Sequence, residues 1–195
     1  PWLGYFWSGC AGEYKRGLEI MGIGGIDVDN RECMTLGSVQ SPDTKTLDNM
    51  DKSLVDWYAC YLINRREQIQ RISNIVVADA FFSKSTFVAP MCNNGYHVIS
   101  RFRNDAVLLY PTTAKPTGKK GRPKQYDGSI DLSRLDTSRC TEYEADKGKL
   151  YGLKAWSKAP RRMVSLAVWY PDEDSTDKWQ LYFSTDQNQS ALDVL

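Results

Sequence analysis

The sequence predicts an α/β protein whose second half turns mainly β, and three observations predict it. A short apolar run, Ile75-Val76-Val77-Ala78, closes on Asp79 and is followed by a helical stretch and a second strand-like run, Val98 to Arg103. Ahead of it, Leu47, Met50, Leu54, Trp57, Tyr58, Tyr61, Leu62, Ile69 and Ile72 recur at helical spacing over 46–72. Beyond residue 105, short apolar segments at 151–158, 163–170 and 179–184 are separated by polar turns.

In chain order, residues 17–28 mix apolar residues with glycine, and Asp29-Asn30 supplies a turn. Residues 32–40 alternate through Met34, Leu36 and Val39, so the two segments read as a hairpin. Ser41-Pro42-Asp43 then leads into the helix over 46–72, whose outer face carries Lys52, Asp56, Arg65, Arg66 and Glu67. Strand 75–79 follows, then a helix near 84–93 stopped by Asn93-Asn94-Gly95, then strand 96–103. Helix–strand–helix–strand order favours parallel pairing of the two strands. Residues 111–128, rich in Pro, Gly, Lys and Thr, read as an exposed loop or a long hairpin tip.

A net charge of +1 conceals clustering. Basic residues concentrate between Arg101 and Lys124, where Asp105 is the only acid, while acids gather in Glu142-Tyr143-Glu144 and Asp172-Glu173-Asp174. Local fields therefore decide whether nucleic acid binds. No apolar run approaches the length of a membrane span, and no signal-peptide pattern opens the chain. Five cysteines, odd in number and far apart, suit reduced thiols in a cytosol better than a disulfide framework. Cys92 and His97 lack a second ligand pair at zinc spacing, and Gly22, Gly24 and Gly25 precede no phosphate-loop helix.

The candidate site starts from Asp79, a carboxylate held at the end of a strand read as buried, where ligands of open α/β sheets gather. Arg101 and Arg103, two apart on a strand, share one face and suit phosphate contacts, or else pair with Asp105 or Glu144. Lys119-Lys120-Gly121-Arg122-Pro123-Lys124 has the shape of a minor-groove hook, with glycine for close backbone approach and long basic side chains on both sides. Arg16 and Lys15 precede a strand and suit a further DNA-backbone contact, or else are charges of the kind common at strand starts. Glu19 alternates with Leu18 and Ile20, faces away from the core and receives no chemistry. Asp27 and Asp29 read as hairpin-turn residues, with metal binding alongside Asp79 as the competing reading.

The ordered set Gly4-Tyr5-Phe6-Trp7-Ser8-Gly9-Cys10-Ala11-Gly12, Arg16-Gly17-Leu18-Glu19-Ile20, Val77-Ala78-Asp79-Ala80-Phe81-Phe82-Ser83, Ile99-Ser100-Arg101-Phe102-Arg103 and Lys120-Gly121-Arg122-Pro123-Lys124 resembles a DDE transposase of bacterial insertion sequences. The resemblance runs over nearly the whole chain and implies a cut-and-paste enzyme with an RNase H-like catalytic core. Such enzymes hold two Mg²⁺ (or Mn²⁺) ions with two Asp and one Glu, roughly 3.5–4 Å apart across the attacking and leaving oxygens. Asp79 matches the second acid and so would be both catalytic and a metal ligand. The resemblance places the first acid ahead of Pro1 and the glutamate, in a Tyr-Arg-Glu-Lys signature, beyond Leu195. The chain is thus expected to be an internal fragment, inactive alone. It divides into a partial RNase H-like core (1–104), a β-rich insertion with the basic loop 111–128 (105–186) and the start of a helix (187–195).

The implied partners are double-stranded DNA at transposon ends and a second copy of the full-length protein, in a bacterial cytoplasm and DNA-associated. In an RNase H-like sheet the first strand separates the second from the fourth, so Trp2–Trp7 is expected to lie against the edge left open. The alternatives are a non-enzymatic DNA-binding module with a basic β appendage, and a self-sufficient metal nuclease using Asp79 with Asp27 or Asp29.

Overall fold

The computed structural model describes residues 2–113, 123–172 and 177–195, and is a mixed α/β protein. It divides into two compact units, Pro1–Ile72 and Ser73–Leu195.

In the first unit, β1 (Gly4–Ser8) and β2 (Glu13–Gly17) pair antiparallel as a two-stranded sheet. The Ser8 carbonyl accepts from the amides of Ala11 (3.2 Å) and Gly12 (2.8 Å), and Gly12 takes a positive φ of 66°. This corrects the expectation that Trp2–Trp7 covers an open sheet edge. A short loop with a glycine in the left-handed region closes a local hairpin at a small entropic cost, which a distant strand cannot match. The hairpin expected from 17–40 is present as β3 (Ile20–Asp27) and β4 (Glu32–Gln40), with a register shift between Ile23 and Gly24. Its turn is held by Asp27, whose carboxylate accepts from the side chain (2.8 Å) and backbone (3.1 Å) of Asn30. Those bonds hold the Asp27 carboxyl below the usual aspartate range.

The single helix expected over 46–72 is three: α1 (Thr44–Asn49), α2 (Leu54–Asn64) and α3 (Arg66–Ile69). Asp51 sits at a positive φ of 51°, which ends α1. Ser53 then starts α2 with a capping box, its hydroxyl accepting from the Asp56 amide (3.2 Å) while the Asp56 carboxylate accepts from the Ser53 amide (3.0 Å). The apolar spacing holds its phase across the break, and Leu47, Val55, Tyr58, Ala59 and Leu62 are buried.

Glu19 does not simply face away. Its carboxylate accepts from the Tyr58 hydroxyl, and the buried Ser41 hydroxyl lies 2.5 Å from that phenol and 3.3 Å from Glu19 Oε1. Burial, and then the carboxylate beside it, push the Tyr58 phenol well above its usual range.

The second unit is one eight-stranded sheet. Along it run β5 (Ile75–Ala78), β6 (His97–Arg101), β12 (Gln180–Ser184), β11 (Arg162–Tyr170), β10 (Lys149–Ser157), β7 (Leu108–Pro111) and β8 (Tyr126–Ser129), with β9 (Thr141–Tyr143) also on β10. The β5–β6 pair is parallel, as the helix between them favours, and every other pair is antiparallel. The expected core–insertion boundary near 104 falls inside this sheet, because β6 is hydrogen bonded to β12.

The intervening helix, α4 (Ser85–Asn93), packs on β6, buries Phe87, Val88 and Met91, and ends before Gly95 at φ 82°. A one-turn helix, α5 (Ala191–Val194), lies with Ile99, Leu150 and Ala167 in a buried cluster. β6 is buried on both faces (Val98 0 %, Ser100 2 %, Ile99 8 % exposed), whereas β5 is an edge strand with Val77 66 % exposed. The reading of 75–79 as a buried strand is therefore corrected: its apolar run lies on the edge strand of this sheet among the described residues.

The turn into β10 depends on Gly148, at φ 72°, where an added Cβ would stand 1.9 Å from the Tyr170 carbonyl oxygen. Gly148→Ala combines this overlap with an unfavourable φ and is expected to destabilise the second unit by at least about 1–3 kcal/mol. Urea unfolding followed by tryptophan fluorescence measures it, and an unchanged midpoint would contradict this account of the turn.

Candidate functional site

Asp79 follows β5 directly and caps a single 3-10 turn, Ala80–Phe82. Its Oδ1 accepts from the Phe81 amide at 2.9 Å, so the capping role weighed against catalysis is present. Its carbonyl accepts from Ser100 Oγ (2.8 Å) on the neighbouring strand and from the Phe82 amide (3.1 Å). The backbone of this exposed carboxylate is thus tied to β6. The parallel register Ala78↔Ser100 brings Asp79 and Arg101 to the same end of adjacent strands.

Arg101 is the last residue of β6, which ends two residues before the expected strand does. The ladder nevertheless continues through the Phe102 amide, which donates to the Leu181 carbonyl at 2.8 Å. Phe102 is 2 % exposed and stacks on Phe183 with ring centroids 4.1 Å apart, so Arg101 and Arg103 flank a buried residue and both reach solvent. Among the described residues neither guanidinium has an ion-pair partner; the alternative pairing with Asp105 or Glu144 is not formed there.

Lys119, Lys120 and Arg122 lie outside the described residues, but the stem that carries them is described. β7 and β8 pair antiparallel, and the Thr112 amide donates to the Gln125 carbonyl at 3.1 Å. Asp127 clamps the base of this loop from both sides. It accepts from Thr112 Oγ1 (2.9 Å) and the Thr113 amide (3.3 Å), and it pairs with Lys124 (3.3 Å) and Arg139 (3.4 Å). Lys124 is therefore not a free cation: much of its charge is met by Asp127. Arg16 belongs to the first unit, exposed on β2 opposite Tyr5.

Asp27 already spends both carboxylate oxygens on Asn30. Among the described residues no three His, Cys, Asp or Glu side chains gather where a metal ion could bind. These residues by themselves do not fit the two-ion centre implied by the resemblance. All five cysteines are free, and burial raises the Cys140 thiol to about 11. Among the described residues no helix is long and apolar enough to cross a membrane.

One feature lay outside the sequence reading. A cavity of about 620 Å³ opens beside β10, lined by Tyr110, Arg139, Tyr143, Gly152, Lys154 and Gln189 among others, and Asp79 does not line it. Its lining holds two basic residues and no carboxylate. Gly152 lets the Tyr143 ring pack closely against β10, since a Cβ there would stand 2.8 Å from it. Arg139 lies over the Tyr110 ring at 4.8 Å. The available signal was Lys154 itself, a lone cation within the apolar run Leu153 to Trp156.

No protein-family model, no curated protein and no solved structure matches this chain.

Hydrogen bonds from Thr112 and Thr113, then Lys124, hold the Asp127 carboxyl below the usual aspartate range. A depressed folded-state value means the clamp contributes fully above the ordinary carboxylate range near about pH 4 and is lost as pH falls through the lowered value. Hydrogen exchange at the Thr113 amide is expected to stay slow down to that lower pH. In Asp127→Asn the acid transition should vanish and exchange should be faster at neutral pH; unchanged protection in the variant would mean the clamp does not hold the stem.

Proposed function

We propose that this chain is part of the RNase H-like core of a DDE-type transposase, contributing one catalytic carboxylate and a DNA-contacting surface to strand cleavage and transfer at insertion-sequence ends. The observation that carries the reading is the β5–β6 pair. It sets the exposed Asp79 and Arg101, which has no ion-pair partner among the described residues, at the same end of two parallel strands. A rigid acid suits metal-assisted phosphoryl chemistry, and a neighbouring guanidinium suits the phosphate being attacked.

Two further features support it. The outer edge of β5 has no strand on it among the described residues, as a sheet awaiting a further parallel strand would have. In sequence the basic stretch ending at Lys124 falls between the paired strands β7 and β8, and its charge suits contacts to a phosphate backbone. In this reading the partners are double-stranded DNA and a second copy of the protein, one copy for each DNA end. The ions are Mg²⁺ or Mn²⁺, and the compartment is the cytoplasm.

A non-enzymatic DNA-binding module is the second reading. It is favoured by the lack of a three-ligand cluster among the described residues.

Binding of the 195-residue chain to duplex DNA at several salt concentrations, with and without Mg²⁺, tests the proposal. Steep salt dependence without nicking is expected. Lys119→Gln, Lys120→Gln and Arg122→Gln should each lower the log–log slope by about 0.9. Lys124→Gln should lower it less, because Asp127 already meets that charge. Binding that is absent or indifferent to salt would refute the reading. Nicking abolished by Asp79→Ala would show instead that the acids of this chain suffice.

A further inference from the structure

The β1–β2 ribbon turns an unusual face to solvent. Cross-strand partners in an antiparallel pair project to the same side, so the register Tyr5↔Arg16 and Trp7↔Tyr14 puts these four side chains together. Tyr5 is 70 % exposed, Trp7 60 % and Tyr14 67 %, and Arg16 is exposed among them. The opposite face carries Phe6, Lys15, Ser8 and Glu13, and there Lys15 and Glu13 pair with each other at 3.6 Å. The aromatic face thus holds one charge, a guanidinium with no ion-pair partner among the described residues.

Three large rings left in water on one small ribbon mark a binding surface rather than scattered apolar exposure. Its chemistry narrows the occupant. The face offers π surfaces and a cation, with no aliphatic side chain and no carboxylate. Trp7 and Tyr14 meet edge to face, with centroids 5.4 Å apart and planes at 73°, so they do not stack on each other and each keeps ring surface for a ligand. A polyanion with unstacked bases supplies both complements, its bases for the rings and a phosphate for Arg16. A duplex cannot, because its bases are already stacked inside.

We infer that the Tyr5–Trp7–Tyr14–Arg16 face is a stacking platform for single-stranded DNA. This rests on the reading that DNA is the partner and adds to it a second mode of contact, separate from the basic loop. Strand cleavage releases ends whose bases can leave the duplex, and such an end is the kind of ligand this face would take.

The test compares a fluorescently labelled oligothymidylate of about 16 nucleotides with a labelled duplex, each titrated against the full chain. Trp7→Leu with Tyr14→Val keeps the surface apolar and strand-forming but removes the extended rings. This double variant is expected to bind the single strand about tenfold or more weakly, the scale of losing a base stack, while duplex binding is unchanged. Trp7→Phe with Tyr14→Phe should restore most of the single-strand affinity. Unchanged single-strand affinity in the aliphatic variant, with duplex binding intact, would overturn the platform and leave the DNA reading standing. A parent chain that binds neither nucleic acid would remove that reading and the platform with it. A parent dimer that the aliphatic variant dissociates would show the face to be a self-interface and overturn the inference.

Discussion

Strand 97–101 has to satisfy two neighbours of opposite sense, and the second unit depends on its doing so. On one side it pairs in parallel with residues 75–78, and on the other antiparallel with 180–184. Side chains from both faces are buried, so a slip of one residue would exchange Val98 and Ser100 with Ile99 and break both ladders. The Phe102–Phe183 stack locks the antiparallel side, and the Ser100 hydroxyl on the Asp79 carbonyl locks the parallel side. The position of the candidate acid is therefore set by the same register that builds the sheet.

Much of this was legible in the sequence where local chemistry decided the outcome. The Asp29-Asn30 turn and flanking alternation give the 20–40 hairpin, and the helical stretch before Asn94-Gly95 gives the parallel pair. The rest fails for identifiable reasons. Apolar period carried the helix reading straight through Asp51, although Ser53 and Asp56 already spelled a capping box. Gly9-Cys10-Ala11-Gly12 is a local hairpin signal, and its bonds to the Ser8 carbonyl prevail over any long-range pairing of Trp2–Trp7. Nothing local announces that Glu19 meets Tyr58, 39 residues away, or that Asp127 reaches Thr112 across a loop. An apolar run of four residues also cannot say whether it lies at the centre or the edge of a sheet.

The charge distribution shows the same division between local and distant effects. Several acids in the second unit are spent on structure: Asp131 and Asp136 bond their own turns, and Asp193 completes the capping box of α5 with Ser190. The arginines flanking Phe102 are left without such partners among the described residues. A nearly neutral chain can in this way present surfaces of one sign, and the fields that matter to a polyanion are set by which cations stay unpaired.

The clamp at Asp127 has a consequence for how such a protein can change over time. The bonds of Thr112 and Thr113 to Asp127 tie the ends of the β7–β8 connection together by contacts that use none of the residues between Thr113 and Pro123. Lengthening a closed loop is inexpensive, about 0.6 kcal/mol for each doubling. A connection anchored at both ends in this way can change in length at little cost to the sheet, which makes it a natural place for one scaffold to vary.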